Sequence, residues 1–329
     1  MNWAGQRVLV TGAGGFIGSH LSEALLDAGA DVTAMVRYNG RGDWGNLEYL
    51  SPARRAALNI VAGNIEDRDY VLRQMRGQQV VLHLAALVAI PYSYIAPLSY
   101  VRTNVEGTLN VLEAARLCEV ERIVHTSTSE TYGTARYTPI DEEHPLQGQS
   151  PYSASKIGAD KIAESYHRSF DLPVATIRPF NTYGPRQSAR AVIPTIIGQA
   201  LSQTTISLGA LDPVRDLVFV DDTVRGFLAV AGAPAAIGEV VNVGTGTGVT
   251  IGELAAIILE EMGCDKPIVT AVERVRPTRS EVGTLLCDAR KATALMGWQP
   301  QVPLREGLRA AIDFVTEHLH LYKTDRYVV

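Results

Sequence analysis

The sequence has 329 residues, of which 46% are hydrophobic and 20% are charged, with a formal net charge of −5. This length predicts about two domains, or one α/β domain with an extension. A nucleic-acid-binding protein and a disordered protein are disfavoured, because the sequence has neither a block of basic residues nor an acidic tail. The longest apolar stretch, residues 80–90, is too short to span a bilayer.

The cysteines indicate a reducing compartment. Cys118, Cys264 and Cys287 lie far apart, so they form neither a disulfide framework nor a metal site, and we expect reduced thiols. The first strand is predicted within a few residues of Met1, which leaves no room for a signal peptide. We therefore expect a soluble, cytoplasmic protein without a bound metal or a membrane partner.

The first half of the chain alternates strand and helix patterns. Strands are predicted near residues 7–11, 31–37, 58–62, 80–84, 122–127 and 174–178, and helices over 15–28, 98–118 and 152–170. Such alternation is typical of βαβ units. The predicted fold class is α/β, a Rossmann doubly wound parallel sheet with a smaller C-terminal α/β region that binds the substrate.

The rhythm changes after Pro179, where prolines divide the chain into shorter elements. We therefore predict a dinucleotide-binding domain over residues 1–180 and a substrate-binding region over 181–329. Residues 216–243 are regular enough to return to the first domain.

A glycine fingerprint lies between the first strand and the first helix. Gly12 permits a tight turn, Gly15 lets a pyrophosphate approach the backbone, and Gly18 allows close packing of helix on sheet. Phe16 and Ile17 stand at the start of the helix, where free N–H groups and the helix dipole attract phosphate. This order of elements predicts a nicotinamide dinucleotide site.

Arg37 ends the second strand, where an acidic residue would accept a hydrogen bond from the ribose of NAD. Its charge slightly favours the 2′-phosphate of NADP, although a solvated surface arginine and NAD remain open. Small residues after the fourth strand should line the nicotinamide, whereas His83 in that strand is expected to be a packed residue. The other candidate cofactor contacts are Asn64, Ile65, Leu84, Ala85, Ala86 and Thr126.

Tyr152 and Lys156 are one helical turn apart on one face. A free tyrosine has a pKa of about 10, and a neighbouring ammonium together with a cationic nicotinamide would lower it. Tyr152 can then accept the proton of a sugar hydroxyl while hydride leaves the carbon. The pair predicts an oxidoreductive step.

The segment 125–133 places hydroxyl groups and a carboxylate at the end of a predicted parallel strand, which is the ligand-binding edge. Thr128 is the best candidate to bond the reacting oxygen beside Tyr152. A polar exit from a strand explains some of these residues, but it does not readily explain Glu130.

Four segments carry a family resemblance: the fingerprint 12–18, residues 127–133 (STSETYG), the pair Tyr152–Lys156 and residues 178–185 (RPFNTYGP). Together they resemble the extended short-chain dehydrogenases that act on nucleotide sugars, over nearly the whole chain. The resemblance implies a tightly bound, recycled NAD(P). It also implies a homodimer in which the helices predicted over 98–118 and 152–170 form a four-helix bundle.

Within that group, Thr128-Ser129-Glu130 looks like the triad of the GDP-mannose 4,6-dehydratases. The dTDP-glucose 4,6-dehydratases carry Asp where this chain has Ser129. Residues 36–39 (VRYN), 43–46 (DWGN) and 90–94 (IPYSY) are most similar to the UDP/GDP-N-acetylglucosamine 4,6-dehydratases of legionaminic-type acid pathways. UDP-N-acetylglucosamine is therefore the expected substrate.

The resemblance implies a mechanism without net redox change. Tyr152 deprotonates the 4-hydroxyl, Glu130 removes the C5 proton that the new ketone has acidified, and water leaves C6 with help from Ser129 or Glu130. Hydride returned to C6 completes a 4-keto-6-deoxy sugar. The missing Asp leaves the acid for water loss open.

Alternative functions remain at this stage. A UDP-glucuronate decarboxylase shares the Thr-Ser-Glu segment but needs an arginine for the C5 carboxylate. A 4-epimerase needs no base for C5, so Glu130 argues against it. A dinucleotide-sensing scaffold would have lost Tyr152, Lys156 or Glu130, and all three are present.

Arginines of the second region suit a diphosphate, because the guanidinium fork presents several donors to oxyanions. By resemblance, Arg215 and Arg276 contact the ribose and pyrophosphate of the sugar nucleotide. Asn181 is expected to donate to the same diphosphate. The remaining candidate substrate contacts are Tyr94 and Arg186.

Overall fold

The computed structural model describes residues 1–322 and 324. Strands in chain order are β1 Arg7–Thr11, β2 Asp31–Arg37, β3 Asn59–Gly63, β4 Val80–His83, β5 Arg122–Thr126, β6 Val174–Pro179, β7 Asn181–Tyr183, β8 Ile206–Leu208, β9 Val214–Phe219, β10 Val240–Val243, β11 Gly248–Thr250, β12 Ile268–Thr270 and β13 Thr284–Leu285. Helices are α1 Phe16–Asp27, α2 Pro52–Ala57, α3 Arg68–Met75, α4 Ile90–Ile95, α5 Pro97–Tyr100, α6 Gly107–Leu117, α7 Pro151–Phe170, α8 Val192–Ser202, α9 Val220–Gly232, α10 Ile251–Glu261, α11 Arg290–Met296 and α12 Leu304–Glu317.

Seven parallel strands form the main sheet in the order β3-β2-β1-β4-β5-β6-β10. The order reverses beside β1, which is the switch point at which doubly wound sheets bind ligands. Helices cover both faces, because successive strand residues point to opposite sides. Val8 and Val10 of β1 pack in one core with α1 and α9, while Leu9 packs in the other core with α3 and α6. The predicted Rossmann fold is confirmed.

The C-terminal region builds smaller sheets. Strand β9 is central, with β11 antiparallel to it and β7 and β13 parallel to it. Strands β8 and β12 form a separate parallel pair. Among the described residues, no helix is long and apolar enough to cross a membrane.

The predicted return to the main sheet begins later than residue 216. Residues 216–219 belong to β9 in the small sheet, while α9 packs on α1 and β10 pairs with β6. The reason is that β9 pairs on both sides with strands of the C-terminal region. The boundary at residue 180 stays a prediction.

The helix predicted over 98–118 contains a π-helical turn at Val101–Glu106, between α5 and α6. This widened turn carries the buried Asn104, whose amide bonds both the N–H and the carbonyl of Leu87. Asn104 also donates to Ser155 of α7 at 2.9 Å. The turn thereby ties the loop after β4 to α7.

Candidate functional site

A cleft of about 770 Å³ opens along the carboxyl edge of the main sheet. Parallel strands all end at this edge, so residues that follow β1, β2, β4, β5 and β6 meet there. The predicted residues that line it are Gly12, Gly15, Phe16, Ile17, Gly18, Arg37, Asn64, Ile65, Leu84, Ala85, Ala86, Thr126, Thr128, Ser129, Glu130, Tyr152, Asn181 and Arg276. The fold therefore gathers most of the predicted site in one cavity.

The glycine turn fits a dinucleotide phosphate. Gly12 has φ +75°, and a Cβ there would lie 2.7 Å from the backbone nitrogen of Ala85. A Cβ on Gly15 would meet only the carbonyl oxygen of Gly12, at 3.1 Å. No side chain among the described residues caps Gly15 at the start of α1, so the first N–H groups of this helix are available to an oxyanion.

The end of the cleft beside β2 carries charges of both signs. Arg37 is exposed, and Asp43 and Trp44 of the next loop line the cavity with it. The sequence did not lead us to assign a cofactor contact to Asp43 or Trp44. We looked for the acid that would bind the ribose of NAD only at the end of β2, and these residues lie in the loop beyond it. The loop folds back because the N–H of Asn46 donates to the carbonyl of Gly14 at 2.9 Å.

His83 lies behind the middle of the cleft and is fully buried. Its Nδ1 is 2.7 Å from Thr11 Oγ1 and its Nε2 is 3.1 Å from Thr108 Oγ1. Burial, together with the nearby His125 and Lys156, lowers the pKa of His83 well below its usual range, so the ring is neutral at pH 7. Thr11 also accepts from the N–H of Ala85, which fixes the small residues after β4.

Helix α7 presents Tyr152 and Lys156 to the site. Ser150 caps it, and the reciprocal bonds with Ser153 form a capping box that sets where the helix begins. Tyr152 lines the cleft beside Thr128, whose hydroxyl is near enough to favour the ionised phenol. Lys156 lies deeper, and its Nζ donates to the carbonyl of Thr126 at 2.6 Å.

The predicted lowering of the tyrosine pKa does not occur in the protein alone. Burial raises the pKa of Tyr152, the neighbouring Thr128 hydroxyl opposes this rise, and the charge of Glu130 adds to it. Burial lowers the pKa of Lys156 to about 8, against the opposing charge of Asp160. The expected phenolate therefore depends on the positive charge of a bound cofactor, and it stays a prediction.

The segment after β5 brings three predicted catalytic side chains to the cleft. Thr128 accepts from the N–H of Glu130 at 3.3 Å and caps the short 3₁₀ turn Ser129–Tyr132. Glu130 lies within electrostatic reach of both Tyr152 and Arg215: its charge adds to the rise that burial causes in the pKa of Tyr152, and it opposes the lowering that burial causes in the pKa of Arg215. This places a carboxylate between the tyrosine and the arginine region.

Arg215 and Arg276 both pair with the carboxylate of Glu281. Arg215 is buried and its Nη2 is 3.2 Å from Glu281, while Arg276 Nη1 is 3.5 Å from the same oxygen. Of the two, Arg276 lines the cleft, and Arg215 stands behind it. The guanidinium of Arg276 is therefore the cationic group of this pair that an anionic ligand in the cleft can reach.

Besides Arg215, two further predicted substrate residues, Tyr94 and Arg186, are absent from the described lining of the cleft. Arg186 turns away and pairs with Glu23 of α1 at 2.8 Å, because its backbone adopts a left-handed conformation with φ +67°. Tyr94 bonds Ser280 at 2.5 Å instead of facing the cavity.

Arg190 lines the cavity in place of Arg186, and Gln187 and Ser188 of the same loop line it too. The Arg190 charge reaches the phenol of Tyr100, whose ring centroid is 6.2 Å from that of Tyr152. Sequence reasoning missed Arg190, because only the backbone turn at Arg186 decides which arginine of this loop points inward.

Comparison with known proteins agrees with this geometry. The profile of the family described as GDP-mannose 4,6 dehydratase matches residues 9–311. The chain belongs to this family. Its members among the extended short-chain dehydrogenases are enzymes of nucleotide-sugar dehydration and epimerisation, so the predicted resemblance is confirmed.

Relatives within this group include both activities. The UDP-glucose 4-epimerase of Mycolicibacterium smegmatis is 36% identical, covering 94% of this chain and 98% of the relative. The dTDP-glucose 4,6-dehydratase of Streptomyces griseus is 35% identical, covering 95% and 94%. The crystal structure of DesIV, a dTDP-glucose 4,6-dehydratase from Streptomyces venezuelae with NAD bound, aligns with a TM-score of 0.87 at 32% identity, covering 98% and 100%.

We predict that Gly12→Ala weakens both the fold and dinucleotide binding. The added Cβ would stand in a left-handed backbone conformation against the backbone of Ala85, which should lower the free energy of unfolding by about 1–3 kcal/mol. Urea denaturation and NAD titration measure the two effects. Gly40→Ala is the control, since a Cβ there meets nothing within 4 Å; equal stability of both variants would contradict the prediction.

Proposed function

We propose that this protein is a nucleotide-sugar 4,6-dehydratase whose substrate is UDP-N-acetylglucosamine. The observation that carries the proposal is the position of Glu130, which lines the same cleft as Tyr152 and acts electrostatically on it. A base for C5 beside a base for the 4-hydroxyl is what oxidation followed by elimination requires. The choice of sugar nucleotide rests on the resemblance of residues 36–39, 43–46 and 90–94.

NAD(P) is the cofactor that the cleft fits. Gly12, Gly15 and the start of α1 would hold its pyrophosphate, and Ala85 and Ala86 leave room for the ring beside β4. When bound, the dinucleotide supplies a hydride acceptor for C4 and a hydride donor for C6. The NAD bound to the related DesIV structure supports this assignment.

The first proton moves at Tyr152. Its phenolic oxygen accepts the proton of the sugar 4-hydroxyl, and the neighbouring Thr128 hydroxyl favours the ionised phenol. Lys156 lies one turn along α7, fixed by the carbonyl of Thr126, and contributes the positive charge that favours the phenolate.

The second proton moves at Glu130. Its carboxylate removes the C5 proton once C4 is a ketone, because the adjacent carbonyl stabilises the carbanion. Ser129 lines the cleft next to Glu130, although it is almost fully buried. Protonated Glu130 is the better acid for the leaving C6 hydroxyl, because a neutral serine is a very weak acid.

Three residues from the second region are placed to hold the nucleotide. Asn181 and Arg276 line the cleft, and Arg215 stands behind them with its charge partly offset by Glu281. Arg190 lies at the sugar end, near Tyr100 and Tyr152. We assign Arg190 to the sugar and the other three to the diphosphate and ribose.

Two related reactions are the alternatives. The similarity to the UDP-glucose 4-epimerase of Mycolicibacterium smegmatis favours 4-epimerisation, for which Glu130 would have no task. Arg190 at the sugar end would suit the carboxylate of UDP-glucuronate, and then the 4-ketone would drive loss of CO₂. Both reactions share the step at Tyr152 and differ in the fate of the 4-ketone.

We predict that the purified protein removes one water from UDP-N-acetylglucosamine without an added reductant. Mass spectrometry of separate incubations with UDP-N-acetylglucosamine, GDP-mannose, dTDP-glucose and UDP-glucuronate identifies the substrate and the lost group. Glu130→Gln should lower turnover by a factor of about 100 to 10,000, because the amide cannot accept the C5 proton.

The control for that variant is Glu143→Gln, the same change at an exposed surface position. Loss of CO₂ from UDP-glucuronate alone, or an unchanged mass with inverted C4, would refute the dehydratase. Full activity of Glu130→Gln would refute the role of this carboxylate.

We predict that NADP binds more tightly than NAD because Arg37 can pair with the 2′-phosphate. Arg37→Gln should weaken NADP binding about tenfold and leave NAD binding unchanged. Calorimetric titration of both dinucleotides against both proteins measures this. If Arg37→Gln weakens the binding of both dinucleotides equally, or of neither, the prediction is wrong. Asp43 and the other groups beside the cleft would then set the preference between NADP and NAD.

We also propose a homodimer formed through α5, α6 and α7. Leu98, Val101 and Leu109 are 60%, 51% and 38% exposed there, which is a large apolar surface for a face of packed helices. Val101→Glu should convert the dimer to a monomer in analytical ultracentrifugation. Val272→Glu, at an apolar side chain 83% exposed elsewhere, should leave the dimer intact; a monomeric wild type would contradict the proposal.

A further inference from the structure

A buried ion pair lies directly behind the candidate catalytic groups. Asp160 of α7 accepts from His125 Nε2 at 2.9 Å, Ser127 Oγ at 2.6 Å and Arg178 Nη2 at 2.9 Å. Arg178 Nη1 donates onward to the Tyr132 phenol at 2.7 Å. All five side chains are less than 9% exposed, so the pair is shielded from water.

This network fixes both ends of the catalytic segment. Ser127 precedes Thr128, and Tyr132 follows Glu130 by two residues. The Tyr132 phenol is anchored a second time, since it donates to Asn242 of β10 at 2.8 Å. Thr128 and Glu130 therefore lie between two fixed residues, Ser127 and Tyr132. Both of these residues belong to the hydrogen-bond network around Arg178.

The same network fixes α7. Asp160 is one helical turn beyond Lys156 and two beyond Tyr152, so the three side chains share one face of the helix. Movement of Asp160 would thus shift Tyr152 relative to Glu130. The position of both catalytic bases depends on one carboxylate.

Asp160 is the ionised acid of this buried network. Although burial opposes its ionisation, the hydrogen bond from His125 and the charge of Arg178 hold the pKa of Asp160 well below its usual range. Burial keeps the pKa of His125 low, so that ring is neutral. Lys156 and Arg178 are the two cations whose charges act on this carboxylate.

We propose that Asp160 and Arg178 are positioning residues of the dehydratase. Their ion pair holds Glu130 in register with Tyr152, and Asp160 is the counter-charge that keeps Lys156 an ammonium in a dry site. This inference rests on the proposed function for its catalytic part, whereas its electrostatic part concerns the protein alone.

Several titratable groups lie on the elements around Lys156, and of these the charge of Asp160 acts on its pKa. Tyr152 and Asp160 lie on its own helix, His83 and His125 on β4 and β5, Arg178 on β6, and Glu130 in the segment after β5. The two histidines have lowered pKa values and are uncharged at neutral pH. Tyr100 of α5 packs on Tyr152, and burial raises the pKa of its phenol, so it is neutral as well.

The electrostatic part is tested without substrate. The chain has five lysines, so ¹³C labelling at the lysine ε-carbon gives few signals, and the one missing in Lys156→Arg is that of Lys156. The wild-type signal should titrate near pH 8. In Asp160→Asn it should titrate about one pH unit lower, because a buried counter-charge is lost.

Asp160→Glu is the matched control, since it keeps the charge and should stay within a few tenths of the wild-type value. An unchanged Lys156 titration in Asp160→Asn would overturn the electrostatic part. This result stands whether or not any nucleotide sugar is dehydrated, so it is separable from failure of the proposed function.

The positioning part is tested by kinetics on the nucleotide sugar that the wild type dehydrates. Asp160→Asn should move the alkaline limb of the kcat/KM profile to lower pH, in step with the pKa of Lys156, whereas a purely structural defect would lower activity equally at every pH.

Tyr132→Phe should lower kcat by about ten- to a hundredfold with KM and the Lys156 titration unchanged, because only the residue that fixes the Glu130 side of the segment loses its hydrogen bonds. A kcat equal to that of the wild type in Tyr132→Phe would overturn the positioning part of the proposal. If Asp160→Asn does not fold, Tyr132→Phe decides the positioning part by itself.

Discussion

The common direction of the strands is the constraint on which the site depends. In a parallel sheet every strand delivers its following residue to the same edge, so side chains far apart in sequence meet there. The turn after β1, the small residues after β4, Thr128 to Glu130 after β5 and Asn181 after β6 are brought together in this way. Helix α7 adds Tyr152 and Lys156 from the side of this edge, and these two residues complete the set of proposed catalytic groups.

Burial has a second consequence at this edge. The groups proposed to move protons sit in a region from which water is largely excluded, and there an isolated charge is costly. Burial raises the pKa of Tyr152 and lowers that of Lys156, so in both side chains it favours the neutral form. Additional positive charge beside Tyr152 would oppose the effect of burial on its pKa.

Two parts of the C-terminal region differ in how firmly the backbone is held. Strand β9 carries Arg215 and is paired on both sides, so the position of this arginine is fixed. The loop before α8, by contrast, lines the cleft through Arg190, Gln187 and Ser188 and belongs to no strand or helix. Changes in such a loop alter the lining of the cleft without disturbing either sheet, which fits a family whose members include both dehydratases and epimerases.

The sequence by itself determined the fold class, the glycine turn and the pairing of Tyr152 with Lys156. These features depend on local spacing: a glycine where φ must be positive, an i to i+4 interval on a helix, and apolar runs between them. Only the tertiary structure decided which arginine of the 185–191 loop faces the cleft, since a left-handed residue at 186 sends that side chain to Glu23 instead. It also decided the charge environment of Tyr152, because burial and the partners of Asp160 come from strands and a helix that the sequence does not place side by side.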